Sequence, residues 1–79
     1  MAMKYIVVNG PDGEMPVIFP RAYYHSDVAQ RFVPAKVVAA GFVRLSEGAA
    51  ECYGGSSSLR IVSRRLRDSQ LVARHLSDS

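Results

Sequence analysis

The sequence predicts an α+β domain in which an antiparallel sheet of four or five strands packs with two helices, in the order ββαββα, as a two-layer sandwich. Three observations lead to this class. Segment 36–45, KVVAAGFVRL, is the longest run of strand-forming residues, and it is apolar on both faces, with charge only at Lys36 and Arg44. That is the pattern of a central strand covered on two sides. Segment 4–8, KYIVV, runs into Asn9, Gly10, Pro11, Asp12 and Gly13 and then into 14–19, EMPVIF, which is the signature of a hairpin. Two short stretches, 26–33 and 68–76, carry apolar residues at helical spacing.

Each element follows from local chemistry. In the second strand Met15, Val17 and Phe19 share one face and Glu14, Pro16 and Ile18 the other. Pro16 has no N–H to give a ladder, which assigns this strand to a sheet edge, and Pro20 closes it. Ser26 is the expected cap of the first helix, Asp27 suits its first turn, and Val28, Ala29, Phe32 and Val33 form its buried stripe before Pro34 ends it. In the central strand Val37, Ala39, Gly41, Val43 and Leu45 point one way, and Val38, Ala40 and Phe42 the other. Gly41 in mid-strand signals a bulge or the close approach of another segment. Ser46, Glu47 and Gly48 turn the chain into a returning strand, 49–53, AAECY. A flexible loop, GGSSS, follows at 54–58, and 59–62, LRIV, extends or restarts a strand. Asp68 or Ser69 caps a last helix to Leu76 with Leu71, Val72, His75 and Leu76 on one side, and 77–79 frays. The simplest sheet order is second, first, third, fourth, with both helices on one face. Val38, Ala40 and Phe42 would then lie uncovered, as a natural binding surface.

Composition bounds the class of protein. The 79 residues make one domain, 1–79, and 48% hydrophobic content is enough for a core without requiring oligomerisation. Met1 and Ala2 read as an expression scar ahead of a natural start at Met3. One cysteine, Cys52, excludes an internal disulfide and any CxxC motif, the usage of a reducing cytoplasm. No apolar run approaches the ~20 residues of a membrane span, and the N-terminus lacks a signal core, so a cytoplasmic location is expected. The net charge of +3 is unevenly placed. Arg60, Arg64, Arg65, Arg67 and Arg74 crowd the last quarter, opposed locally only by Asp68 and Asp78.

Little in the chain points to catalysis. His25, His75 and Cys52, with Asp27, match no zinc spacing, and Cys52 within a strand reads as a core thiol. His25 reads as a surface or half-buried packing group. Segment 54–58 lacks the lysine of a phosphate-binding loop, and the carboxylates are scattered. The expectation is a protein that is not an enzyme and needs no cofactor and no metal. The partner-binding candidates are Arg60, Arg64, Arg65, Arg67 and Arg74 with Tyr23 and Tyr24, arginine and tyrosine being the types enriched at interfaces.

The runs VIFP, HSDVA, VAAGFV, CYGGSSSL and SRRLRDS resemble small proteins of bacteriophages and other mobile elements, and the size and single-domain build look like anti-CRISPR proteins. The resemblance implies a non-enzymatic inhibitor in the cytoplasm of a bacterial host cell, which binds a CRISPR effector complex and keeps target DNA from it. Because the chain is basic, attachment to an acidic or apolar patch fits better than imitation of DNA. Two other readings stand beside it. One is a small basic nucleic-acid-binding accessory protein using the same arginines on phosphates, and the other a homodimer paired through the open sheet face.

Overall fold

The computed structural model describes residues 2–77, and the elements run β1 (Ala2–Gly10), β2 (Gly13–Phe19), α1 (His25–Gln30), β3 (Lys36–Ser46), β4 (Ala49–Tyr53), β5 (Gly55–Ser56), β6 (Ile61–Val62) and α2 (Leu66–Ser77). The fold is α+β, with a four-stranded antiparallel sheet in the order β2-β1-β3-β4 and a small separate hairpin, β5-β6. Ala2 pairs with Arg44 as the first residue of β1 and is part of the sheet. The expected fraying of 78–79 concerns positions outside the described residues, and Ser77 closes α2.

The β1-β2 hairpin turns at Pro11 and Asp12 between the paired Gly10 and Gly13, and Gly13 adopts φ 107°, a conformation that favours glycine. Pro16 faces Val7 from the edge strand β2, where a missing N–H disrupts no second ladder. Tyr5, Ile6, Val7 and Val8 are all buried, so β1 is apolar and covered on both sides.

That double burial decides the layering. Tyr5, Val7, Ala39, Val43 and Cys52 form one cluster with Val72 of α2, while Ile6, Val8, Phe19 and Ala40 form another with Val28 and Ala29 of α1. The two helices therefore cover opposite faces, contrary to the expected two-layer arrangement. Each face of the central strands is apolar, and each needs its own cover. Leu59 and Ile61 complete the α1 side, so the face assigned to a partner or a second copy is occupied largely by the chain itself.

A register shift between Val7 and Val8 explains a second departure. Val7 pairs with Ala39 but Val8 with Val37, leaving Val38 as the extra residue of a bulge. Val37 consequently packs with the α1 cluster and Val38 with the α2 cluster, the reverse of strict alternation.

Both helices differ from expectation at their ends. His25 opens α1 after Tyr24, whose side chain makes no cap hydrogen bond, and the helix stops at Gln30. Arg31 N–H donates to Val28 O and Phe32 N–H to Ala29 O, tight i→i+3 turns that leave Val33 exposed. A cis peptide joins Val33 to Pro34. Helix α2 begins at Leu66, ahead of the expected caps, so Asp68 lies inside its first turn and is buried with Val72, while His75 and Leu76 are exposed.

Candidate functional site

Glu14, Arg64, Asp68 and Tyr5 form a connected polar network under the start of α2. Arg64 reaches Glu14 with both terminal nitrogens, at 3.0 and 2.8 Å, and donates from Nε to Asp68 Oδ1 at 2.7 Å. Its backbone N–H donates to Asp68 Oδ2 at 2.8 Å. The Tyr5 hydroxyl donates to the same oxygen at 2.6 Å and lies 2.7 Å from Ser63 Oγ. Asp68 has no solvent exposure, but three hydrogen bonds satisfy its carboxylate. Hydrogen bonds from Arg64 hold the Glu14 carboxyl below the usual carboxylate range, and Glu14 and Asp68 keep Arg64 firmly charged against its partial burial. Burial, with Asp68 alongside, pushes the Tyr5 phenol up, so it stays a donor. A structural tie therefore consumes Arg64, which the sequence suggested as a partner-binding group.

Above this base runs segment 60–67, which presents two apolar side chains among three arginines. Val62 and Leu66 are each 70% exposed, beside exposed Arg60, Arg65 and Arg67. Arg60 and Arg65 have φ of 56° and 51°, the left-handed region that non-glycine residues avoid at a cost of order 1–3 kcal/mol. Arg65 is fixed there from both sides. Its N–H donates to Ser63 Oγ at 3.0 Å, and its carbonyl accepts from Ser69 N–H and Ser69 Oγ, both at 2.8 Å. Ser69 Oγ in turn accepts from Cys52 N–H at 2.8 Å, locking the helix start to β4. Arg67 touches Glu14 at 3.3 Å yet stays largely exposed. Sequence reasoning found the arginines but missed Val62 and Leu66, because apolar residues at strand and helix spacing read as core.

The other candidates lie elsewhere. Tyr23 and Tyr24 are 55% and 68% exposed and precede α1, on the α1 face of the sheet. Arg64 and Arg67 bond to Glu14, which points to the α2 face with Ile18, so the expected site is split between two sides of the sheet. Arg74 is exposed in the last turn of α2, where a cation suits the helix dipole.

The α1 face carries a second constellation. Lys4 pairs in register with Phe42, and Phe42 with Tyr53, so one cross-strand row runs over β1, β3 and β4. Phe42 and Tyr53 stack with centroids 5.9 Å apart. Cations sit over three rings: Lys4 on Tyr24 at 5.6 Å, Arg21 on Phe42 at 5.9 Å, and Arg44 on Tyr53 at 5.1 Å. A cleft of about 470 Å³ opens here, lined by Lys4, Tyr24, His25, Phe42 and residues 55–58. His25 is buried in its floor, edge-on to Phe19 and Phe42, and donates from Nε2 to Gly41 O at 2.8 Å. Burial lowers its pKa, so it is a neutral packing group. Cys52 is a buried thiol whose pKa burial raises, the opposite of an activated nucleophile. Among the described residues no three of His, Cys, Asp and Glu are placed to share a metal ion, and no helix is long and apolar enough to cross a membrane.

Comparison with protein-family models, with curated protein sequences and with solved structures gave no match, so the site is understood from its own geometry.

Proposed function

We propose that this chain is a non-enzymatic, phage-encoded inhibitor of the anti-CRISPR kind, which docks on a bacterial CRISPR effector complex through segment 60–67 and keeps target DNA from it. The supporting observation is the presentation of Val62 and Leu66 among Arg60, Arg65 and Arg67 on a turn that is held in left-handed backbone. Exposed aliphatic groups with arginines next to them in the chain suit an apolar pocket with an acidic rim, and strained backbone maintained by several hydrogen bonds marks a surface shaped for use. The Glu14–Arg64–Asp68 tie supplies rigidity, which lowers the ordering cost of association.

Co-elution with purified, guide-loaded effector complexes on a sizing column tests this reading. Wild-type protein is expected to travel with a complex, and Leu66→Asp combined with Arg65→Glu should weaken it at least about thirtyfold, as loss of a central contact does. Absence from every complex, or undiminished co-elution of the double variant, overturns the proposal. The second reading, a nucleic-acid accessory protein using the same arginines, draws support from the exposure of Arg60, Arg65, Arg67 and Arg74. It requires duplex binding that falls steeply between about 50 and 200 mM salt and disappears in the same double variant.

A further inference from the structure

We propose that the α1 face carries a separate site, a stacking platform for single-stranded nucleic acid built from Lys4, Arg21, Tyr24, Phe42, Arg44 and Tyr53. It goes beyond the inhibitor reading and uses none of the docking segment, so either can fail alone.

The platform exists because α1 is short. Its six residues place Val28 and Ala29 over the cluster of Ile6, Val8 and Ala40, and His25 at its first turn reaches only the edge of the Lys4–Phe42–Tyr53 row. The row beyond is uncovered by any helix, and the cleft beside it, at about 470 Å³, falls within the roughly 300–1,000 Å³ of small-ligand sites. Among the described residues no carboxylate lines that cleft. Among the described residues the one acid paired nearby is Glu51, which holds Arg44 at 2.7 Å while both stay more than half exposed.

The chemistry favours bases joined by phosphates. Three aromatic rings are each paired with a cation, so the groups that engage bases lie beside positive charge for a backbone. Guanidinium planes such as those of Arg21 and Arg44 accept stacked bases as readily as rings do. The hydroxyls of Ser56, Ser57 and Ser58 border the same cleft and suit sugar or phosphate oxygens. An acidic peptide would satisfy the cations and leave the rings unused. A duplex would present phosphates but hide the base faces that a recessed ring needs. Strands lie about 4.8 Å apart, so the row crosses three of them as a track.

The test is fluorescence anisotropy with a labelled thymidine oligonucleotide of about fifteen nucleotides, a duplex of the same length and the wild-type protein, from about 50 to 200 mM salt. The single strand should bind more tightly than the duplex, with a log–log salt slope of about −2 for two or three phosphate contacts. Tyr24→Ala and Arg21→Ala, both at exposed positions, should each weaken single-strand binding by about tenfold with melting temperature unchanged. Leu66→Asp with Arg65→Glu should leave it intact. No single-strand binding at the lowest salt, equal affinity for duplex, or indifference to both alanine variants overturns the platform.

Discussion

At the scale of single residues, Asp68 is the group on which most others depend. It is buried in the first turn of α2, yet it accepts from the Tyr5 hydroxyl, the Arg64 backbone and the Arg64 side chain at once. Removing it leaves the Tyr5 hydroxyl and the Arg64 backbone N–H without their acceptor and takes one of two carboxylates from the Arg64 guanidinium. Asp68→Ala should cost about 3 kcal/mol in a urea titration, a large share of the 5–15 kcal/mol typical of a domain. Tyr5→Phe, which removes one donor to the same carboxylate, should cost about 1–2 kcal/mol. His25 gives a pH dependence whose sign is fixed by its environment. Burial is the main cause of its lowered pKa, with Lys4 contributing and the bond to Gly41 O opposing. The unfolded chain therefore binds the proton more readily than the native one. Stability is full above the ordinary histidine value of 6.5 and falls as pH drops from there towards the depressed native value. Thermal melts at pH 7.5 and pH 5.5 should show this loss, and His25→Gln, which retains a donor for Gly41, should remove most of it. Glu14, held ionised by Arg64, adds a further loss at lower pH as it is protonated.

At the scale of elements, Gly41 shows how closely the pieces meet. A Cβ there would collide with the Tyr53 carbonyl oxygen and press on Ser63 Cβ at 3.2 Å, where β4 ends and the β6 strand passes. Gly41→Ala should destabilise the protein by roughly 2 kcal/mol or more in urea, since backbone and not a flexible side chain must give way. This close approach was legible in the sequence, as were the β1-β2 turn, the edge position of Pro16 and the order β2-β1-β3-β4. Strand period and turn chemistry are local signals, and they survive folding. The side taken by each helix was not legible. Two sides of one sheet are equally apolar in β1, and the bulge at Val38 exchanges the faces of Val37 and Val38 without any mark in the residues. The site suffered in the same way. Nothing near Arg64 in sequence announces that its partner is Glu14, 50 residues earlier, and the left-handed turn at Arg65 depends on Ser63 and Ser69 being held in place.

At the scale of the whole molecule, the chain covers most of its own sheet on both faces. Among what it leaves accessible are the arginine and aliphatic edge at 60–67 and the half-buried cation and ring row on the α1 face. With most of each sheet face covered by the chain itself, light scattering should give a monomer of 8.7 kDa even at high concentration, and a stable dimer would contradict that coverage. The proposed activity then rests on docking alone, without a reaction. The most direct measurement is target-DNA binding by a guide-loaded bacterial effector complex as the protein is titrated in. Wild-type protein should abolish DNA binding near one equivalent, and the Leu66→Asp, Arg65→Glu variant should leave it almost untouched. Undiminished DNA binding at saturating wild-type protein, for each complex tried, would contradict the account.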